Sequence, residues 1–548
     1  LATIPVYDGP TVQGELKGKL IETRYDAMVP LDYKLDPDST DGHHLIVATV
    51  TPTEDMAHGK HSGHVELNID GETLSLPVEL RVSSLVIKPK RHFGSLFGAV
   101  LFNRAAKKGE ADMAEDAVSI ASFHGLEGED LIPHKPTFDS GNDTVDVSLN
   151  VRELAEHYFH TLLDNHLLPR CPDLYLSYNY EVVERGPELA PELKNWDFSN
   201  GFDQAIKEFV IDRDMPWFTV FHSNGHLMHM LRLGNGTTYS IEANPGDPNW
   251  IQLPREEFDK LVGDFFDAVA KHLDELGILD RAIFVIDESG FETYGNIFAY
   301  VTAMKSRPYA KRIKIGHTSY KVSTWTHRLP NGKLLMDEVL DVPMPINDEH
   351  FNFFEPEWGA RFEKPKTQWV YHVESDHLNL ENAGLSSIFL PLKLAHFGVS
   401  GWYDWESFMW SLPYAYLPGE RGGFKYGTGP VTNPWINPFY HHGPGVLSFF
   451  YPPDPRGPAN VPTDLVIPSF RLTLMRDGIQ ERSLLEVLQA GRDDGGKELK
   501  VNKQRLAEAQ TELDSLWPDN PVQWYLGYDA HAKARRVLYD LAMESATP

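Results

Sequence analysis

Between residues 93 and 405, short apolar runs recur with helical patterns filling most of the intervals. The runs are GSLFG (94–98), DLYLS (173–177), WFTVFHS (217–223), AIFVIDE (282–288), IKIGHTS (313–319), VLDVPMPI (339–346), QWVYHVES (368–375) and VSGWYDW (399–405). Runs of this length, rich in β-branched and aromatic residues, read as buried strands, and alternation with helices implies a parallel sheet. The clearest helix is EEFDKLVGDFFDAVAKHLDELG. Its Phe258, Leu261, Val262, Phe265, Phe266, Val269, Leu273 and Leu276 form one apolar stripe, and Gly277 stands where a C-terminal cap belongs. A second helix, LSSIFLPLKLAHFG (385–398), is apolar nearly all round. Eight alternating strands predict an α/β fold of the (β/α)8 TIM-like barrel type. A doubly wound open sheet is the competitor, but no glycine-rich phosphate loop follows an early strand.

A chain of 548 residues is expected to divide into two or three domains. The barrel accounts for 91–490. Ahead of it, in HVELNIDGETLSLPVELRV, Val65, Leu67 and Ile69 alternate with polar residues. The turn Asp70-Gly71 follows, and Leu74, Leu76, Val78, Leu80 and Val82 resume the alternation, which is a hairpin signal. Residues 1–90 therefore predict a small N-terminal β-sandwich, ending at the KPKRH patch around Pro89. Residues 491–548 predict a C-terminal helical tail packed on the barrel.

Charge and composition narrow the partners. Lys plus Arg total 50 against 79 Asp plus Glu, a net charge of -29, which repels phosphate backbones and anionic lipid. Nucleic acid and membrane are thus excluded as expected partners, and no apolar run reaches the length of a transmembrane helix. Cys171 is the single cysteine, so neither an intrachain disulfide nor a Cys-based zinc site is expected. The opening LATIPVYDGP shows no basic and apolar leader. Compartment is left open: secreted or periplasmic if a leader has been removed, cytoplasmic otherwise. Oligomeric state is not read from the sequence.

Chemistry in a barrel sits at the C-terminal ends of the strands. The third run ends in His222, Ser223 and Asn224, the fourth in Asp287 and Glu288, and the fifth in His317. Asn347 and Asp348 close the sixth, Tyr371, Glu374 and Asp376 the seventh, and Trp402, Tyr403, Asp404 and Glu406 the eighth. Carboxylates beside aromatic rings suit a sugar, whose apolar face stacks on the rings while its hydroxyls bond the acids. A single acidic pair at a strand end also serves as a solvated loop or helix cap, so the sugar reading rests on several tips together. His222, His317, Tyr371, Glu374, Trp402, Tyr403 and Asp404 are the expected substrate contacts at these tips.

Spacing constrains the mechanism. Two carboxylates of an ordinary retaining glycosidase flank the sugar from opposite sides, about 5–5.5 Å apart. Neighbours at one strand tip leave the same edge and do not straddle a ring. One arrangement has Glu288 protonate the leaving oxygen while Asp287 orients a substrate group such as a 2-acetamido carbonyl. The other has Glu288 as acid/base and Glu374 as nucleophile.

Three stretches carry a resemblance: FVIDES with Asp287-Glu288, GVSGWYDWESF after an apolar helix, and NPW (433–435) followed by GPGVLSFFYP and IPSFRLTLMRDGIQE. Together, spanning about 190 residues, they resemble glycoside hydrolase family 123, the β-N-acetylgalactosaminidases. The resemblance implies a sandwich-plus-barrel enzyme, exo-acting and retaining, that removes terminal β-linked N-acetylhexosamine through an oxazolinium intermediate, without cofactor. By matching position, Asp287 would polarise the acetamido group and Glu288 would be the general acid/base. Asn433 and Trp435, in the long final loop, read equally as pocket wall or as loop packing. Ser289 stands where the family commonly has proline, and Gln480-Glu481-Arg482 where it usually has acidic residues. Arg471 and Arg476 lie on a helix and read as structural ion-pair partners. A non-catalytic carbohydrate-binding barrel is the alternative from another functional class.

Other clusters are read as structural. HGKHSGH (58–64) holds three histidines but no helix aligns them and no carboxylates accompany them, so no metal site is expected.

Overall fold

A computed structural model describes residues 2–7, 11–12, 15–16, 20–29, 45–53, 55–69, 71–97, 149–170, 178–199, 201–287, 293–319, 328–329, 331–334, 338–345, 367, 369–372, 380, 385–404, 435, 439–440, 443–444, 449–453, 465–517 and 527–545. Its architecture is mixed α/β, as the alternation of apolar runs and helices predicts. Four strands, Phe218–Asn224, Ala282–Asp287, Lys314–Ser319 and Val342–Pro345, pair in that order and are all parallel. Three more, Trp369–His372, Gly401–Asp404 and Gly94–Phe97, form a second parallel arc. In this arc the last apolar run pairs with the first, as the wrap of a barrel requires and an open doubly wound sheet does not.

After the helix Leu149–Asp164 the chain returns to the first strand. The Phe97 amide donates to the Leu168 carbonyl at 2.8 Å and the Arg170 amide to the Phe97 carbonyl at 2.6 Å, a parallel bridge centred on Pro169. Pairing thus begins ahead of DLYLS (173–177), which lies outside the described residues. Among the described residues no ladder joins the two arcs, so the ring of eight strands expected from the sequence is seen as two arcs rather than a closed barrel.

Strand side chains divide with period two. Leu96, Ile283, Val285, Val342, Met344, Trp369, Tyr371 and Tyr403 form one buried cluster. The alternate set, Phe97, Phe284, Ile286, Ile315, Val370 and Trp402, belongs to a larger core with the helices. The first cluster is the interior of the sheet's curve and the second its outer layer. Trp369 fills the interior where the backbone leaves room for it: a Cβ at Gly94 or Gly401 would lie 2.4 or 2.5 Å from its ring. The outer layer is anchored by the Arg255–Glu275 helix, whose predicted stripe is buried from Phe258 to Leu273. That helix ends as expected, with Gly277 at φ +73°.

The predicted hairpin is present as the strands Gly59–Ile69 and Glu72–Val82, paired antiparallel about Asp70-Gly71. A second antiparallel pair joins Ala2–Tyr7 to Leu20–Ala27. Following the barrel-like region, helices Phe470–Ala490, Lys503–Asp514 and Tyr528–Ser545 bury Leu484, Leu485, Leu488, Leu513 and Leu538 in one cluster with Ile388, Phe389 and Leu392 of the Leu385–His396 helix. No helix among the described residues is long and apolar enough to cross a membrane.

Candidate active site

Asp287 ends its strand in the same alternation as Ile283 and Val285, which places its side chain on the interior face. Its Oδ1 accepts a hydrogen bond of 2.5 Å from the Thr318 hydroxyl on the neighbouring strand. Thr318 shares that face because Gly316, two residues earlier, abuts Met344, Ile283 and Val285. From the other side, His222 presents Nε2 to Asp287 Oδ2 at 3.7 Å, beyond hydrogen-bond distance. His222 owes its aim to an irregularity. The register of its strand slips between Thr219 and Phe221, so that Phe221 packs outward on Phe266 and His222 turns inward.

Behind His222 lies Tyr403, whose phenol oxygen is 3.1 Å from Nε2 and receives a hydrogen bond of 2.9 Å from Arg170 Nη1. Tyr371 packs its ring 5.4 Å from that of Tyr403. Arg170 reaches this point from the short parallel bridge after the Leu149–Asp164 helix. Burial first, then the charge of Arg170, holds the His222 imidazole well below its ordinary pKa, so the ring is neutral. Asp287 thereby faces a hydroxyl donor and a neutral ring.

The other expected site residues are distributed more widely. His317 is placed on the outer face, its ring 6.3 Å from that of Tyr294, and burial pushes its pKa down to about 4. Trp402 also faces outward and packs on Phe97 at 6.1 Å, in the core rather than on the interior face where a sugar platform was expected. Asp404 is buried in register with Phe97. Trp435 lies in a separate small core with Ala27, Leu380, Tyr451 and Ile467, its Nε1 donating to the Pro452 carbonyl at 2.7 Å. Glu288, Glu374 and Asn433 fall outside the described residues.

Two participants were missed in the sequence: Thr318 and Arg170. For Thr318 the signal was one residue away from His317. Ile313, Ile315 and Gly316 do not declare which face is interior, and a shift of one residue reverses every side chain. Arg170 sits next to a proline after a helix, where nothing local marks a strand.

No protein-family model matches the chain, and no curated protein matches it in sequence. In overall fold it is similar to a solved structure from Clostridium perfringens. That neighbour is a family 123 glycoside hydrolase, described in connection with glycolipid glycan hydrolysis. The two superpose with a TM-score of 0.48 at 12% sequence identity, over 90% of this chain and 75% of the other. At this level of similarity the neighbour carries no argument about chemistry, which rests on the side chains alone.

Proposed function

We propose that the chain is a glycoside hydrolase, specifically an exo-acting, retaining β-N-acetylgalactosaminidase that uses the substrate's own acetamido group as nucleophile. The supporting observation is the setting of Asp287: an interior carboxylate at the C-terminal end of a parallel strand, anchored by the Thr318 hydroxyl and faced by the neutral His222, with Glu288 next in the chain. The motif resemblance assigns these two acids the same roles. We further propose that the two arcs close into an eight-stranded barrel over 91–490, preceded by a sandwich over 1–90 and followed by a helical tail over 491–548.

In this reading Asp287 accepts the acetamido N–H and makes the carbonyl oxygen more nucleophilic. That oxygen forms a bond to the anomeric carbon as the bond from that carbon to the leaving oxygen breaks. Glu288, as the carboxylic acid, gives its proton to the leaving oxygen. The resulting oxazolinium keeps its N–H on Asp287. Glu288, now the carboxylate, takes a proton from the water that attacks the anomeric carbon as the bond from that carbon to the acetamido oxygen breaks, which restores the acetamido group and leaves configuration retained. Tyr371 and Tyr403 belong to the same buried cluster as Ile283 and Val285, which precede Asp287 on its strand.

The test compares aryl β-glycosides of galacto and gluco configuration, with and without the 2-acetamido group. Substrate assistance requires turnover of the acetamido substrates only and inhibition by a thiazoline mimic of the oxazolinium. Glu288→Gln should abolish hydrolysis. Azide rescue of Glu374→Ala with an inverted product would instead establish an enzyme nucleophile. Sugar binding without hydrolysis of any substrate would establish a carbohydrate-binding protein.

A further inference from the structure

We infer that the protein carries a second small-molecule site, a basic pocket for an acidic sugar: one pyranose ring bearing a carboxylate or a sulfate ester. The pocket has a volume of about 360 Å³ and is lined from the Glu72–Val82 strand, the Leu385–His396 helix and the Tyr528–Ser545 helix. Leu385 and Ile388 form its apolar side, and Arg81, Arg535 and Arg536 bring three guanidinium groups to it. Tyr528, Arg535, Arg536 and Tyr539 are spaced to share one face of the last helix, beside the buried stripe of Ala534, Leu538 and Leu541. Arg81 is brought to that face by the chain just beyond it, where the Ser83 hydroxyl donates to the Ala542 carbonyl at 2.9 Å.

Charge selects an anion. Among the described residues the pocket lining contains no carboxylate. The acids that reach its arginines are already shared: Asp540 lies 2.8 Å from Arg81 and 3.8 Å from Arg505, and Glu481 lies 3.1 Å from Arg535 and 2.6 Å from His531. Among the described residues the Arg536 guanidinium makes no ion pair or hydrogen bond. Three guanidiniums facing two shared carboxylates leave this spot positive in a chain whose net charge is -29. A guanidinium keeps its charge and presents paired N–H donors that match two oxygens of a carboxylate or sulfate. The acidic surface around it turns away polyanions, so the fitting ligand carries a single oxyanion. The rest of the ligand is a ring. Arg535 Cζ lies 5.6 Å from the centre of the Tyr539 ring, and Tyr539 and Tyr528 are 37% and 62% exposed. Accessible phenol rings beside an apolar wall take the apolar face of a pyranose, while its hydroxyls stay in water. The volume falls at the low end of the range for small-molecule sites, about 300–1,000 Å³, and suits one ring rather than a chain. None of these residues lies on the strands of Asp287, His222 and Tyr403, so the inference stands apart from the hydrolase reading.

Binding is measured by calorimetry on the full chain at low salt, with glucuronic acid, glucose 6-sulfate, glucose and inorganic sulfate as probes. At least one acidic sugar is expected to bind about tenfold more tightly than both glucose and inorganic sulfate. Which of the two does so tells a carboxylate site from a sulfate-ester site. Arg536→Gln should lower that affinity about tenfold, and Arg536→Lys should recover part of it. Tyr528→Ala should weaken the acidic sugar about fivefold and leave inorganic sulfate unchanged. Both side chains are exposed, so an unchanged thermal midpoint is expected and confirms that the variants fold. Equal affinity for glucose and the acidic sugars, inorganic sulfate binding as tightly as either of them, or undiminished binding in Arg536→Gln each overturns the site. Asp287→Asn should bind the probes as the natural sequence does. Reduced binding in that variant would put the probes in the candidate active site and overturn the inference, whereas its loss of turnover bears on the proposed function alone.

Discussion

The tip of the Ala282–Asp287 strand and the run from Pro468 to Arg482 both carry the family resemblance, yet they are built into the fold differently. At the tip, Asp287 is bonded by a hydroxyl and faced by a neutral histidine. In the run, charges are matched at close range. Arg471 makes paired contacts to the buried Asp26, with Nη2 at 2.8 Å, and Tyr451 donates to the same carboxylate at 2.6 Å. Glu481 lies 2.6 Å from His531 and 3.1 Å from Arg535, and Arg482 is 2.8 Å from Glu486. Ser469 caps the helix by accepting from the Leu472 amide. Gly478 lets the Leu385–His396 helix come close, since a Cβ there would lie 2.1 Å from the Ile388 carbonyl oxygen. The most specific motif of the sequence is thus a fastening between elements, while the less specific Asp-Glu pair sits where chemistry is expected. Motif strength measures constraint, and packing constrains as firmly as catalysis.

Substitutions test this contrast, since the two regions should fail in different currencies. Asp287→Asn is expected to lower kcat/KM on a 2-acetamido substrate by about 10³-fold or more, a scale typical of an electrostatic group at a reacting centre, while the thermal midpoint stays within a few degrees. Loss of folding in this variant would move Asp287 into the structural class. Arg471→Ala should do the reverse. It leaves Asp26 charged and buried, a change that costs about 3–5 kcal/mol, read in urea unfolding, with the activity of the folded fraction unchanged. A loss of kcat per folded molecule would place the run in the chemistry after all.

Gly478→Ala is expected to cost about 1–3 kcal/mol through overpacking of the two helices, again without effect on kcat. The smallest effect on activity concerns His317, the histidine expected at the mouth. His317→Gln should change kcat by less than about threefold, because the ring faces Tyr294 in the outer layer. It should act on acid stability instead. The folded pKa of His317 is near 4, below the ordinary value of about 6.5. Stability from keeping the ring neutral is therefore complete above pH 6.5 and is lost as pH falls from 6.5 toward 4, by up to about 3 kcal/mol. The variant should show a shallower fall over that window in urea titrations. An unaltered slope would mean that His317 is not buried as described.

Sequence reading recovered the elements that local physics specifies. The hairpin about Asp70-Gly71, the stripe of the Arg255–Glu275 helix with Gly277 beyond it, and the parallel strands were legible because turn chemistry and hydrophobic period act over a few residues. Arg471 was read correctly as an ion-pair partner, although its mate, Asp26, lies 445 positions away. The site was only partly legible. Ala282 to Ile286 is apolar throughout and buried on both faces, so its alternation is silent and nothing local says which side Asp287 takes.

What the sequence determined by itself was the order of strands and helices, the position of Asp287 and Glu288 at a strand end, and the chain's acidic, cysteine-poor character. Tertiary structure decided which side chains meet there. Strand pairing set the interior face, the register slip at Thr219 turned His222 inward, and a one-residue difference in phase put Thr318 rather than His317 beside the carboxylate. Those choices depend on contacts between strands far apart in the chain, where a single-residue shift exchanges the two faces. The local pattern does not encode that phase when every residue on a strand is apolar.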